Sequence, residues 1–194
     1  MLPKLYLASR SPRRAELLRL LGVDFAVLDV DIDETVAAGE APADYVTRLA
    51  RAKARSAQQQ VVANAAVLAA DTTVSIDGDI FGKPSDEAQA RAMLARLSGR
   101  WHEVYTAVAL AQGADLALKV VRTRVEFRMV ADHMLGAYWR SGEPADKAGG
   151  YGIQGLGGAF VRRIEGSYSA VVGLPLCETA ELLEQVGISH ALVE

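Results

Sequence analysis

The apolar positions of this chain change period several times, and those changes divide it into elements. Leu5 to Ala8 is a short continuous apolar run, the signature of a strand buried on both faces. It leads through Ser-Arg-Ser into a helix. Ser11 stands at the cap position, Pro12 suits the first helical residue, and Gly22 closes the segment. Phe25 to Val30 reads as a second strand, followed by the acidic stretch Asp29, Asp31, Asp33 and Glu34. From Pro42 to about Gln58 the apolar residues Val46, Leu49 and Ala50 recur at helical spacing. Val67 to Val74 is the most strand-like run, apolar except for Asp71-Thr72-Thr73, and Asp77-Gly78 after it signals a tight hairpin.

Ser85 is expected to cap a helix reaching about Leu97, with Gly99 as its stop. Residues 101 to 130 read as two long strands around Gly113-Ala114-Asp115. The second alternates: Val121, Thr123, Val125, Phe127 and Met129 share one face, and Arg122, Arg124, Glu126 and Arg128 the other. A short helix over Asp132 to Arg140, a glycine-rich loop over 149 to 158, a hairpin at Glu165-Gly166 and a last helix from about Glu178 to Val186 complete the chain. Hairpins mixed with strand–helix units predict an α/β fold with a mixed sheet.

Composition narrows the function. The 194 residues suit a single domain, 1–194, with a sizeable core. A net charge of -3 supplies no basic field, so nucleic acid is not an expected partner. Any anionic substrate must be met by individual cations. Cys177 is the single cysteine, so no disulfide closes within the chain, and a reducing cytoplasm is the expected setting. The opening MLPKLYLASRSPRR has no signal-peptide core, and no apolar run is long enough to cross a membrane, so no membrane partner is expected.

Four features are poorly explained by folding alone. Arg13 and Arg14 fall in the first turn after Pro12, where cations oppose the helix dipole but backbone N–H groups are free to meet an anion. Lys53 shares the apolar stripe of its helix, where a lysine usually lies at the edge with its head in water. Asp71 interrupts a run that should be buried, near the end of a strand, where α/β sheets place chemistry. Lys83 is held between Gly82 and Pro84. Together they offer oxygen ligands for Mg²⁺ or Mn²⁺ and cations for phosphates, an inventory for metal-assisted attack of water on a phosphoanhydride.

One motif misleads. Gly150, Gly152 and Gly155 match G-x-G-x-x-G, but residues 141–148 before them do not read as a strand. Residues 159–164 after them are strand-like and not helical, so a dinucleotide site is not expected. There is no Walker A pattern, and no Cys/His set for zinc.

Five segments together, LASRSPRR (7–14), AADTT (69–73), GKP (82–84), AGGYGIQGLG (148–157) and GSYSAVVGLPL (166–176), resemble the Maf family of nucleotide pyrophosphatases, once described as septum-formation inhibitors. The likeness runs over essentially the whole chain. It implies the two-lobed α/β fold of inosine triphosphate pyrophosphatases, with the site in a cleft between lobes, and commonly a homodimer. It implies Asp71 as the proton acceptor activating water, and Ser9, Arg13, Arg14, Glu34, Lys53 and Lys83 as the other site residues. Asp71 and Glu34 would share the metal. Arg13, Thr72 and Gln154 resemble the branch acting on dTTP and UTP. Gln154 has a chemical reason as well, since its amide offers one donor and one acceptor, matching the imide edge of uracil or thymine. The expected activity is hydrolysis of a nucleoside triphosphate to the monophosphate and pyrophosphate. The alternative is a nucleotide-binding regulator of division that turns over little.

Overall fold

The computed structural model describes residues 5–62 and 64–193. Their contacts divide the chain into two compact units: residues 1–71, 106–121 and 173–194, and residues 72–105 and 122–172.

In the first unit, strands β1 (Leu5–Ala8) and β2 (Phe25–Leu28) flank helix α1 (Pro12–Leu20) in sequence. Helix α2 (Pro42–Gln58) then leads to the long strand β3 (Ala66–Ile76). β1 pairs in parallel with both β2 and β3, with Leu5 opposite Phe25 on one side and Ala66 on the other. Parallel neighbours need crossovers long enough for a helix, which α1 and α2 supply. Leu5, Leu7 and Ala8 of β1 are buried and Tyr6 between them is part-exposed, the near-continuous apolar run of a parallel strand. α2 buries Tyr45, Val46, Leu49, Ala50, Ala54 and Ala57 as one stripe. β2 ends at Leu28, two residues short of the expected Val30.

The second unit begins at Thr72. β3 turns at Asp77 and Gly78, both with positive φ as a type I′ hairpin requires, into β4 (Asp79–Phe81), which pairs antiparallel with it. Helix α3 (Glu87–Leu97) comes next. Its cap is Asp86, not the expected Ser85. The Asp86 carboxylate accepts from Gln89 N at 2.8 Å, and the Gln89 side chain accepts from Ser85 N at 2.6 Å. Replacing Asp86 by Ala removes the cap and is expected to lower the urea midpoint at unchanged slope.

The long strands β5 (Trp101–Gln112) and β6 (Asp115–Phe127) contribute residues to both units. The alternation expected for β6 holds at Thr123, Val125 and Phe127, which are buried. It fails at Met129, 74% exposed, because the strand ends at Phe127 and the period ends with it. Helix α4 (Asp132–Arg140) has the expected bounds. β7 (Val161–Glu165) pairs antiparallel with β6. Among the described residues no second strand forms after Gly166, so the expected hairpin is replaced by a short helix α5 (Tyr168–Val172). Thr123 Oγ1 accepts from Ser167 N at 3.0 Å, and Ser167 Oγ accepts from Ala170 N at 3.2 Å, which turns the chain into a helix instead. The last helix, α6 (Leu176–Gln185), starts two residues earlier than expected, directly after Pro175. Around Phe127, the rings of His102, Tyr151 and Phe160 meet edge-on at 4.8–5.9 Å, the centre of this unit's core.

Among the described residues the strand order is β2-β1-β3-β5-β6-β7, with β4 on β3. Parallel pairs at β1 and antiparallel pairs at β4 and β7 make the sheet mixed, as the sequence pattern predicts. None of the described helices is long and apolar enough to cross a membrane.

Candidate active site

The order β2-β1-β3 makes the gap between β1 and β3 a point where successive crossovers diverge to opposite sides. Open α/β sheets bind ligands there, beyond the carboxyl ends of the strands. Ser9 directly succeeds the last residue of β1, and Asp71 lies on β3 three residues past Leu68, the partner of Leu7. The first unit therefore concentrates its polar chemistry at this place for a topological reason.

Asp71 is 6% exposed, so its carboxylate is taken almost wholly out of water. Lys53 Nζ compensates it at 2.6 Å from Oδ1, and stands 2.6 Å from Glu34 Oε1 as well. Lys53 thus does not reach out of the α2 stripe into water. Its stem runs along the apolar face inward and its ammonium ends between two carboxylates. Burial raises the Asp71 pKa, and the charges of Lys53 and Arg14 and the hydrogen bond from Lys53 only partly reverse this. An aspartate held above its ordinary range is a better proton acceptor than one in water.

The start of α1 supplies the cationic side. Ser9 Oγ accepts from Ser11 N at 3.1 Å and so braces the turn before the helix; Ser11 stands at the N-cap as expected, but its side chain makes no cap bond. Arg14 Nε donates to the Gly173 carbonyl at 2.9 Å and an Nη to Ser9 Oγ at 3.4 Å, which fixes the guanidinium plane. Burial lowers the Arg14 pKa, opposed by the Asp71 charge. A guanidinium nonetheless stays a cation in proteins. Arg13, beside it in the first turn, is part-exposed.

Two residues here carried no flag in the sequence. Tyr45 lies on α2 two turns before Lys53, and its hydroxyl donates to the Glu34 carbonyl at 3.0 Å, tying the acidic loop to the helix. Burial, then the charges of Asp71 and Glu34, push its pKa up to about 12. Its spacing from Leu49 and Lys53 was a visible signal, but an aromatic in a stripe normally reads as core. Gly173, whose carbonyl orients Arg14, lies in the 166–176 segment of the family pattern, but nothing local ties it to a side chain 159 residues away in sequence.

Of the residues expected in the site, the structure brings together Ser9, Arg14, Glu34, Lys53 and Asp71 in one unit, with Arg13 beside Arg14 on α1. Thr72 comes directly after Asp71 and is the one residue of β3 that is not buried. Lys83 and Gln154 belong to the second unit and are both exposed. Lys83 lies just past β4, and the Gly82 carbonyl beside it accepts from Gly149 N at 3.0 Å.

Asp71 and Glu34 are hard oxygen donors of the kind Mg²⁺ and Mn²⁺ prefer. Among the described residues no group of three metal-ligating side chains gathers. Mg²⁺ is characteristically held by one or two carboxylates and completed by water and substrate phosphates, so this pair fits an ion that arrives with its substrate.

An α/β protein with a buried aspartate–lysine pair facing an arginine-bearing helix start has the groups of a phosphate-handling hydrolase. The chain belongs to the Maf-like protein family, whose pattern matches residues 4–186. It is 54% identical over 191 residues to a dTTP/UTP pyrophosphatase of Hahella chejuensis, covering 95% of this chain and 93% of that one. It is 55% identical over 189 residues to a dTTP/UTP pyrophosphatase of Methylobacillus flagellatus, covering 96% and 94%. Among solved structures it resembles a HAM1 protein from Coxiella burnetii, with a TM-score of 0.53, 17% identity, and coverage of 95% and 100%. That last likeness speaks for the fold alone, and agrees with the α/β type expected from sequence.

Proposed function

We propose that the chain is a nucleoside triphosphate pyrophosphatase that hydrolyses dTTP and UTP to the monophosphate and pyrophosphate, using a divalent cation. The observation that carries the chemistry is the buried Asp71 carboxylate, raised in pKa and held by Lys53 at 2.6 Å. The substrate class is supported by relatives more than half identical along nearly the whole chain.

Asp71 accepts the proton from the water that attacks the α-phosphorus. Lys53 holds Oδ1 of that carboxylate and so fixes its orientation while offsetting its charge. Arg14, its plane set by Gly173 and Ser9, and Arg13 beside it offset charge developing on the phosphate oxygens as the bond to pyrophosphate breaks. Lys83 adds a further cation to the phosphates by its resemblance to the family pattern. Asp71 and Glu34 would hold the Mg²⁺ or Mn²⁺, which supplies Lewis-acid stabilisation of phosphate charge. Arg13, Thr72 and Gln154 select the pyrimidine base. A homodimer in a reducing cytoplasm belongs to the same reading, supported by the family resemblance and by Cys177 standing as a free exposed thiol.

Pyrophosphate release across dTTP, UTP, CTP, 7-methyl-GTP and dITP tests this. The expected result is turnover highest with dTTP and UTP and lost when a chelator removes the cation. Binding of these nucleotides without release of pyrophosphate points instead to a regulator of division that uses the same pocket. Turnover preferring 7-methyl-GTP overturns the substrate assignment.

A further inference from the structure

The glycine-rich stretch that imitates a dinucleotide motif has another purpose, and it is visible in the second unit. Glu143, at the start of a short 3-10 turn, directs its carboxylate into the loop after Tyr151. Oε1 accepts from the Tyr138 hydroxyl at 2.6 Å and from Gly157 N at 3.0 Å; Oε2 accepts from Leu156 N at 2.8 Å. The Tyr138 oxygen in turn accepts from Gly152 N at 3.0 Å. Lys147 Nζ holds the Glu143 carbonyl at 2.6 Å. Burial would raise the Glu143 pKa, but the bonds from Tyr138, Gly157 and Leu156 and the charge of Lys147 reverse that and leave it lowered, so the carboxylate is ionised at neutral pH.

The glycines are explained by this carboxylate. A Cβ on Gly155 would stand 2.4 Å from Glu143 Oε2, and one on Gly157 would stand 2.5 Å from the Tyr138 hydroxyl oxygen. A side chain at either position would have to displace the Glu143 carboxylate or the Tyr138 hydroxyl from the loop. Gln154 sits at the apex of the wrapped segment. Gly152 before it is tied to Tyr138, Leu156 and Gly157 after it to Glu143, and Gly155 N closes the turn onto the Gly152 carbonyl at 3.2 Å. The Gln154 side chain is exposed while the backbone on both sides is fastened.

We propose that Glu143, with Tyr138, is a positioning residue for substrate selection, holding the loop in the shape from which Gln154 reads the pyrimidine base. The proposal rests on Gln154 being the base-reading residue. The loop's donors are spent on an acid of the protein itself, so its specificity is set by how rigidly Gln154 is presented.

The test measures kcat and KM for UTP and dITP in the full chain carrying Q154A, E143Q and both substitutions. Q154A should lower the UTP-over-dITP selectivity about tenfold, as loss of a specific hydrogen-bonding contact does. E143Q places an amide N–H₂ against one of the loop's donors. It should lower the same ratio about tenfold through a raised KM for UTP, with kcat within about twofold. The double variant should be no less selective than Q154A alone, because a misplaced loop has nothing more to lose once Gln154 is gone. Selectivity unchanged in E143Q while Q154A loses it overturns the positioning role and leaves the base reading standing. Equal loss for both nucleotides in E143Q, or losses that multiply in the double variant, also overturns it. Selectivity unchanged in Q154A overturns the base reading, and the positioning role with it. If E143Q fails to fold, Y138F decides on the same ratio: it keeps the carboxylate with its two backbone bonds and removes the hydroxyl that joins Glu143 to Gly152 N, so it should shift selectivity the same way. No shift there overturns the proposal.

Discussion

Asp71→Asn is expected to lower kcat by about 10²–10⁴-fold, the range that a positioned general base contributes, while leaving the fold in place. The substitution is nearly isosteric, and an amide oxygen can still accept from Lys53 Nζ, now 2.6 Å from Asp71 Oδ1. Lys53 also keeps Glu34 as its counter-charge at 2.6 Å, so no unpaired buried cation is created. The lost function is proton acceptance, which an amide cannot perform. The measurement is pyrophosphate release from UTP or dTTP beside a thermal melt of the same preparation. Near-normal turnover with an unchanged melt would remove Asp71 from the proposed mechanism.

The second large effect concerns stability in acid and resides in His102. The ring is 2% exposed, Nε2 meets the Tyr151 hydroxyl at 2.8 Å, and Nδ1 is buried without a hydrogen-bond partner. Burial depresses its pKa to about 3. An unfolded histidine titrates near 6.5, so between those values the unfolded chain binds a proton that the folded chain refuses. This contribution to stability is complete above about pH 6.5 and is lost progressively as pH falls toward 3. Its full span is about 4–5 kcal/mol, at 1.36 kcal/mol per unit. Urea unfolding at pH 7 and pH 4 should show wild type losing more stability on acidification than His102→Gln, which has no titrating ring. The carboxylates contribute equally to both proteins and cancel in the comparison. An identical acid loss in the two proteins would show that His102 is not the source.

Much of this architecture was legible because its causes are local. The parallel β1–β3 pair declares itself in continuous apolar runs, since a strand buried on both faces has no polar side to show. α2 declares itself in a stripe, and the β3–β4 turn in Asp77-Gly78. Pattern and structure part where a local signal is overruled by a partner. Ser85 has the look of the α3 cap, but Asp86 is better placed to accept from Gln89 N. Glu165-Gly166 has the look of a hairpin, but Thr123, 44 residues before Ser167, takes the Ser167 N–H and α5 forms instead. Met129 continues the alternation of β6 on paper after the strand itself has ended.

Lys53 shows the same division inside the site. Its place in the α2 stripe was visible, and so was the anomaly of Asp71 in an apolar strand. By pattern alone the lysine reads as one with its head in water, because periodicity says which face a residue occupies and nothing about what the face meets. Most of the elements, the aspartate in an apolar strand and the residues that mark the family can be read along the chain, since each depends on short-range spacing or on order. Folding alone brings Lys53 between Glu34 and Asp71, aims Arg14 by Gly173, and wraps the loop around Gln154 onto the carboxylate of Glu143. Those are contacts between residues brought together by folding, and hydrogen bonds of that kind leave no period in the sequence.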